Sequence, residues 1–415
     1  MIRQAFKRLW NDKRGNVLVI AGLATPLLFG SVGLATDTIQ WALWNRQIQR
    51  SADSAAYSGV YARFQSSSSS AAALAVVNRD LTNAELTSAL KSGYPLTTEP
   101  VVPGLLNTVE VRIDVQRPLI FSSMFLSTAP TISVTGRAAA APTGSYCVVA
   151  LENDRSVPGI VIQGSANVTM GCGMISNSPS ASVSVDVIGS GHQVTAEPVA
   201  GVGGVPQING VTQEQSFHLS QPDPYANLHS TAIPFGTPCT SFSDATKTNT
   251  DGTKKPGCYS NFDPVNGSTT TLSPGVYYLN NASINIQAST RIVGTGVTLI
   301  FTGTNPGTIE TTGNSVIDLT APTTGPYAKM LMIQSTAAAL GNESTFTGNS
   351  GFKMDGVVYF PKGKMTFTGS SGPASKCAMV VARRVHFSGS TNIQNETTGC
   401  SNGTQIPGYA IRLIA

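Results

Sequence analysis

The chain has 415 residues, of which 41% are hydrophobic and 12% are charged, and its formal net charge is +4. Residues 1–16 hold five basic residues and one acidic residue, which gives +4 and leaves the rest of the chain formally neutral. Nucleic-acid binding needs a basic surface that meets phosphates, and residues 17–415 have no such excess. Nucleic acid is therefore excluded as a partner. The excess basic residues are Arg3, Lys7, Arg8, Lys13 and Arg14.

An uncharged run from Gly15 to Thr36 follows these basic residues. About 20 apolar residues at a rise of ~1.5 Å match the ~30 Å hydrocarbon core of a bilayer, which predicts a transmembrane helix over residues 17–36. Basic residues stay on the cytoplasmic side, so residues 1–16 are predicted to be cytoplasmic and the remainder periplasmic or extracellular. The predicted span contains Val17, Pro26 and Ala35, and transmembrane helices tolerate such a proline.

A cleaved signal peptide is the alternative for this run. Gly33-Leu34-Ala35 has the small-x-small pattern of a signal-peptidase site. The apolar core of a signal peptide is usually ~7–15 residues long, and the run from Gly15 to Thr36 is longer. Length therefore favours a retained anchor.

Residues 37–63 place apolar side chains at helical spacing, so the helix is predicted to continue beyond the membrane. The motif that runs through both parts is Gly15, Asn16, Pro26, Asp37, Gln49, Asp53, Ala55 and Ala56. This pattern resembles the N-terminal region of the TadE/TadG family of Flp (tight-adherence, Tad) pilus systems, and TadG in particular. The resemblance implies a single-pass pilus-assembly component of the bacterial inner membrane. Its implied partners are the other Tad/Flp pilus or secretion components.

This sequence lacks two features found in some members of the family, so the properties that depend on those features are not expected here. In processed pilin-like proteins a peptidase cuts after a glycine, and a glutamate stands at the fifth position beyond it. Here Gly15 is followed at that position by Ile20, so we expect the basic N-terminus to be retained. Larger TadG-type proteins also carry a metal-binding domain with an Asp-x-Ser-x-Ser string, which this sequence lacks, so neither the domain nor its Mg²⁺ is expected.

Residues 37–140 are predicted to form a pilin-like helix and a small α/β platform. Ala71–Asn78 is a candidate short helix, and Val109–Val115 alternates apolar and polar residues with period 2, as a half-buried strand does. Thr131–Thr135 is a candidate second strand. Phe121–Leu126 is apolar enough to pack on this sheet. An alanine-rich linker, Ala138–Gly144, is predicted to end the region.

From residue 141 to residue 415 the sequence predicts an exported, mainly-β region. Short strand-like pieces are broken by Gly, Asn, Ser and Thr, which indicates an all-β fold. Phe346-Thr-Gly348, Phe367-Thr-Gly369 and Phe387-Ser-Gly389 recur at about the length of one coil of a solenoid, with Phe301-Thr-Gly303 as an earlier copy. A right-handed parallel β-helix is therefore predicted. An ordinary β-sandwich is the alternative.

Residues 200–274 lack a repeating apolar pattern and are rich in Pro, Gln, Asp, Asn and Lys. We expect an irregular insertion there, with regular coils resuming at Leu272.

All six cysteines lie in the predicted β region, which fits an oxidising compartment. If the chain coils about every 20 residues, cysteines one coil apart become neighbours. A zinc site is not indicated, because Cys-x-x-Cys and a histidine cluster are both absent from the sequence. The predicted disulfides are Cys147–Cys172, Cys239–Cys258 and Cys377–Cys400.

Parallel β-helices include carbohydrate-active enzymes, so a catalytic site is one interpretation of the β region. Glycoside hydrolysis needs two carboxylates that face one cleft. The candidates Glu152 with Asp154, Glu310 with Asp318, and Asp355 form no recognisable constellation. We expect no catalytic residue, metal or cofactor, and a β region that scaffolds or adheres to surface glycans or proteins. The alternative is a membrane-tethered carbohydrate-active β-helix enzyme.

Overall fold

The computed structural model forms two compact units. The first takes in the chain up to Ala141 together with Ile411–Ala415, and the second is Pro142–Ala410. The last residues were predicted to belong to the β region. They lie in the first unit instead, where the Ile414 amide donates to the Arg137 carbonyl (3.0 Å). The structure describes residues 16–66, 69–83, 97–98, 105–228, 238–287, 289–347, 352–369, 374–398, 400 and 405–414.

The first unit combines two helices with an antiparallel sheet. Helix α1 is continuous from the predicted span into the predicted extension, and strand β2 pairs antiparallel with β3. A 3₁₀ helix, Ser122–Met124, lies between these two strands. The elements are α1 Asn16–Gln65, α2 Ser70–Asn83, β1 Thr97–Thr98, β2 Leu106–Gln116 and β3 Thr131–Ala150.

The two halves of α1 differ in burial. In the N-terminal half, large apolar side chains are exposed, among them Leu23, Leu27 and Phe29. In the C-terminal half, small side chains at helical spacing are fully buried. The helix therefore packs within its unit through its C-terminal half. The buried residues are Ala52, Ala55, Ala56 and Val60.

From Val109 onward, every second residue of strand β2 is buried. This agrees with the alternating sequence, which predicts a strand in a sheet with one covered face. The predicted linker Ala138–Gly144 is wrong, because these residues continue β3. Ala138 pairs with Val109 and Ala140 pairs with Leu106, and both alanines are fully buried. Small side chains that pack inside a unit form a strand even where the composition resembles a linker.

The second unit consists of short strands connected by turns. Between β4 and β26, every pairing of named strands in the described residues is parallel, whereas a β-sandwich is built from antiparallel sheets. The strands are β4 Ile160–Gln163, β5 Asn167–Met170, β6 Gly173–Ser176, β7 Val185–Ile188, β8 Gln193–Thr195, β9 Val199–Gly201, β10 Glu214–Gln215, β11 Cys239–Thr240, β12 Gly257–Tyr259, β13 Thr269–Leu272, β14 Gly275–Asn280, β15 Ile284–Ile286, β16 Arg291–Thr295, β17 Val297–Thr302, β18 Ile309–Thr311, β19 Val316–Thr320, β20 Met330–Gln334, β21 Glu343–Thr347, β22 Lys353–Asp355, β23 Val357–Thr368, β24 Ala374–Lys376, β25 Met379–Ser388, β26 Asn392–Glu396 and β27 Ile406–Leu413.

The parallel strands form four ladders. Ladder A runs β11, β12, β14, β17, β20, β23, β25, β3, β6, β9, β10. Ladder B runs β15, β18, β21, β23, β25, β4, β7. Ladder C runs β13, β16, β19, β22, and ladder D runs β24, β26, β5, β8.

The order of strands in these ladders differs from their order in the chain. In ladders A, B and D the last strands of the unit pair with its first: β25 with β3 and β4, and β26 with β5. After β10 the chain returns to the opposite end of ladder A at β11. The described part of this return segment, residues 216–228, packs Tyr225 and Leu228 against the apolar outer face of ladder A.

The return segment lies within the predicted insertion at residues 200–274, and the strands that follow it correct the boundary of that insertion. Strands β12 and β13 lie inside that range and already pair in ladders A and C. Parallel pairing therefore resumes at Cys239, where β11 pairs with β12, and not at Leu272. The sequence hides this because β12 and β13 are short and polar residues surround them.

The recurring phenylalanines occupy equivalent places in ladder B. Phe346, Phe367 and Phe387 are register partners, and their rings stack with centroids 5.2 and 5.7 Å apart. Phe301 is not a fourth copy, because it lies in ladder A opposite Gln334. A Phe-Thr-Gly string marks the end of a strand, but does not by itself fix which ladder that strand joins.

Candidate functional site

The residues of the family motif meet in the first unit, where α1 packs on β2, β3 and the loop between them. The site is defined here as the α1 seat: Asp37, Gln49, Ala52, Asp53, Ala55 and Ala56 with the parts of the sheet and loop that they contact. Gly15 and the basic residues Arg3, Lys7, Arg8, Lys13 and Arg14 lie outside the described residues, so their predicted roles stay predictions.

Asp37 is the first residue after the predicted span, and it is 3% exposed. Its carboxylate accepts hydrogen bonds from the Phe121 amide (2.9 Å), the Ser122 amide (2.5 Å) and the Ser122 hydroxyl (2.5 Å). Burial opposes the charged form, but these three bonds outweigh burial and hold the pKa of Asp37 below its ordinary value. An ionised Asp37 thus fixes the start of the Ser122–Met124 turn against α1.

Gln49 and Asp53 connect α1 to β3. The Gln49 amide nitrogen donates to the Asp53 carboxylate (2.8 Å), one helical turn on, and to the Thr135 carbonyl (2.9 Å). A side chain that bonds both its own helix and the backbone of a strand fixes the rotation of the helix on the sheet. The spacing of four residues between Gln49 and Asp53 allows this arrangement.

Small residues bring the backbones of α1 and β3 together. Ala52 is fully buried, and a Cβ at Gly136 would lie 2.5 Å from the Ala52 carbonyl carbon. No side chain fits at Gly136 without displacing the helix. The alanines of the motif, Ala55 and Ala56, are fully buried beside it. The motif thus encodes a close helix–sheet contact.

Arg63 is a residue of the seat that sequence reasoning missed. It is buried, and its guanidinium donates to the Thr108 carbonyl (3.0 Å). Its position was predictable from periodicity, because Ala52, Ala56 and Val60 precede it on the same face of the helix. A basic residue at the end of such an apolar stripe indicates a buried contact at the C-terminal turn.

The predicted span lies in the N-terminal half of α1, with Pro26 inside the helix and Ala35 near its outer end. Asn16 and Val17 begin the helix. Of the described residues, one helix, α1, is long and apolar enough to cross a membrane, and the apolar part of it is exposed. Length and exposure are what an anchor requires.

Phe121–Leu126, which belongs to the loop Leu119–Leu126, does not pack on the sheet as predicted. Phe121 turns toward α1, where a Cβ at Gly33 would lie 2.3 Å from its ring. Four other apolar side chains of the loop are exposed: Ile120, Met124, Phe125 and Leu126. The hydrogen bonds of Asp37 hold the loop at α1, so its apolar side chains point away from the sheet.

The carboxylates considered as catalytic candidates in the sequence form ion pairs and hydrogen bonds or lie on separate strands of the second unit. Glu152 is fully buried and pairs with Arg383 (3.1 Å) and Arg384. Asp154 accepts from the Ser156 amide and hydroxyl. Glu310 and Asp318 lie on ladders B and C respectively, and Lys353 lies near Asp318 (3.8 Å) and Asp355 (3.5 Å).

Among the described residues, no group of three or more His, Cys, Asp or Glu side chains could hold a metal ion. His386 lies in β25, where burial, with the nearby Lys364 and Arg384, lowers its pKa to about 4 despite Glu343. Its imidazole is therefore neutral at pH 7. His229 lies outside the described residues.

Three disulfides join the cysteines of the second unit in the sequence-local pairs that the spacing predicts. Cys239 and Cys258 are register partners of β11 and β12 in ladder A. The other two bonds close loops of 25 and 23 residues. All three link neighbouring strands or turns of the ladders. The pairs are Cys147–Cys172, Cys239–Cys258 and Cys377–Cys400.

Comparison with known proteins gives one informative match, which covers the α1 residues of the seat. No curated protein and no solved structure matches the chain. Residues 15–63 match the family model of TadE/G-like Flp pilus-assembly proteins. That range holds every residue of the resemblance, from Gly15 to Ala56. The chain therefore carries an N-terminal TadE/G-like Flp pilus-assembly domain, built around the exposed and the seated halves of α1.

Proposed function

We propose that this protein is an inner-membrane-anchored component of a Flp/Tad pilus system, whose second unit acts outside the cytoplasm as a scaffold or adhesive surface. One observation carries the proposal: the family match covers a single helix that is apolar and exposed in its first half and seated on its own sheet in its second. Such a helix anchors a folded domain to a membrane. Its partners are other Tad/Flp pilus or secretion components.

The proposed orientation follows from the basic residues before the span, since such residues remain on the cytoplasmic side. Protease added to intact spheroplasts tests it. We expect digestion of the chain beyond Asp37 and protection of the N-terminal segment. A protected C-terminal region with a digested N-terminus would reverse the orientation.

The second unit is proposed to be a right-handed parallel β-helix. The ladders support this, because successive strands of the chain alternate among ladders A, B and C or D while each ladder stays parallel. β14, β15 and β16 are one example, and β17, β18 and β19 pair with them one by one. A stack of this kind offers an extended surface suited to protein or glycan contacts.

The second unit is proposed to act by binding and not by catalysis. The weighed carboxylates support this view, since Glu152 is neutralised by two arginines and Glu310 and Asp318 lie on different ladders. Surface polysaccharides incubated with the purified chain test the proposal. We expect no new reducing ends and no unsaturated uronic products. Cleavage of a polysaccharide at a rate proportional to the concentration of the wild-type protein would instead identify a carbohydrate-active enzyme.

Retention of the N-terminus is part of the same proposal, because Ile20 stands where processed relatives have glutamate. Intact mass of the purified protein decides the point. A chain that begins near Met1 supports a retained anchor. A chain that begins at Asn16 means peptidase processing, and one that begins at Thr36 means a cleaved signal peptide.

A further inference from the structure

We infer that the loop Leu119–Leu126 is a second membrane contact, which places its apolar side chains in the lipid interface beside the outer end of the α1 span. The inference rests on the proposed anchor and extends it. It assigns a lipid surface as the partner of a loop that the family match does not cover, since the match ends at residue 63.

The first observation is the exposure of the loop. Ile120 is 68% exposed, Met124 75%, Phe125 74% and Leu126 52%. Four large apolar side chains in seven residues form a contiguous exposed patch, and such patches mark interaction surfaces. Charged residues are absent from the sequence between Arg117 and Arg137, so no charge opposes entry into an apolar interface.

The second observation is where the loop is held. The ring of Phe121 lies on Gly33, and Asp37 accepts hydrogen bonds from the Phe121 and Ser122 amides. Gly33 is in the last turn of the predicted span, and Asp37 is the first residue beyond it. At a rise of ~1.5 Å per residue these two contacts lie ~6 Å apart along the helix, so the loop is fixed at the level where the apolar span ends.

The neighbouring residues place the headgroup region just beyond the level of the loop. The Arg117 guanidinium lies 5.5 Å from the centroid of the Trp44 ring, and Trp41 is exposed one turn earlier on α1. Tryptophan and basic side chains are typical of the headgroup region. Interfacial segments bury apolar side chains ~5–10 Å into the headgroup boundary, and the loop lies on the membrane side of Trp44.

Lipid fits the patch better than a protein partner because the patch is continuous with the exposed apolar surface of the span. Val32 and Leu34 of α1 are exposed in the turn that Phe121 contacts. Any bilayer that surrounds residues 17–36 also reaches a loop held against Gly33. A second copy of the chain, or a pilus component, would have to displace that lipid first.

The test uses site-specific photocrosslinking in the full-length chain, expressed in native membranes. p-Benzoylphenylalanine replaces Phe125, and the matched control replaces Tyr61, which is 48% exposed. Tyr61 lies 24 residues beyond Asp37 on the same helix, or ~36 Å along its axis. After irradiation, mass spectrometry of the purified protein identifies the adducts, and carbonate extraction of the same membranes reports whether the chain is integral.

We expect an integral chain with phospholipid adducts at position 125 and none at position 61. An integral chain whose position 125 yields only peptide adducts overturns the inference and leaves the proposed anchor intact, as does an integral chain with no adduct there. A chain that carbonate extracts from the membrane overturns both. Lipid adducts at both positions overturn the inference as well, because the contact would then lack the specified depth.

Discussion

In the first unit a few buried or half-buried polar side chains fix α1 on its sheet, whereas in the second unit apolar side chains repeat from strand to strand along each ladder. Asp37, Gln49 and Arg63 each bond a backbone group of the sheet or loop. Phe346, Phe367 and Phe387 instead contact one another in register. Position is set by specific partners in one unit and by repetition in the other. Substitutions should therefore act differently in the two units.

The largest effect is expected from Phe367→Ala, which removes the middle ring of the stack in ladder B. Loss of a buried phenylalanine costs about 3–5 kcal/mol of the free energy of unfolding. Hydrogen exchange should increase in β21, β23 and β25 and stay unchanged in α1. The control is Phe217→Ala, since Phe217 is 74% exposed. If the two variants lost the same free energy of unfolding, the stacked phenylalanine rings would not be what stabilises ladder B.

A smaller loss, about 3 kcal/mol, is expected from Glu152→Gln. Glu152 pairs with both Arg383 and Arg384, and the substitution leaves the two arginines without their carboxylate where β25 meets the first strands of the unit. Urea denaturation of the full-length protein measures the effect. Glu310→Gln is the matched control, because Glu310 is exposed in β18. A midpoint unchanged from wild type would contradict the role given to the ion pairs.

Gly136→Ala tests the close contact in the first unit. The added methyl group meets the Ala52 carbonyl carbon at 2.5 Å, and overpacking of this kind costs about 1–3 kcal/mol. Amide hydrogen exchange should become faster in residues 49–60 of α1, while exchange in the strands of the ladders should stay as slow as in the wild type. Thr135→Ala, at an exposed neighbouring position of β3, serves as the control. Protection of α1 that is the same in both variants would mean that the helix does not need the glycine.

The smallest effect is a pH dependence at Asp37. Its pKa is lower in the folded state than in the unfolded state, so its contribution to stability is present at neutral pH and is lost as the pH falls through the folded pKa, below 3.8. The denaturation midpoints of wild type and Asp37→Asn should differ at pH 7, and the difference should shrink as the pH falls below 3.8. If the difference between the two midpoints does not change with pH, the effect of Asp37 comes from the packing of its side chain and not from its charge.

Periodicity and local spacing predicted the elements of both units. The helical spacing of residues 37–63, the alternation of Val109–Val115 and the one-coil spacing of the cysteines each depend on neighbours in the sequence, and the structure has an element or bond at each place. The function of Asp37, Gln49 and Asp53 was implied only by resemblance. Their contacts to residues 121, 122 and 135 depend on tertiary structure, which periodicity does not encode.

The errors share one physical cause. Ala138–Ala141 resembles a linker by composition, but burial makes it strand, and Phe121–Leu126 resembles core by composition but is held outward by Asp37. Apolar content alone does not say whether a segment faces protein, lipid or water. The order of the strands within the ladders could not be predicted either, because the pairing of β25 with β3 joins residues more than 200 positions apart.

The pairing of β25 with β3 has a consequence for the order in which the second unit can fold. The strands that lie beside one another at this joint are among the first and the last of the second unit to be synthesised, so the joint cannot close until the C-terminal residues have been made. Until then β3 and β4 keep an unpaired edge, and sequence-distant pairings of this kind form slowly. Removal of residues 379–396 takes away the partners of both edges and leaves two separate blocks of strands.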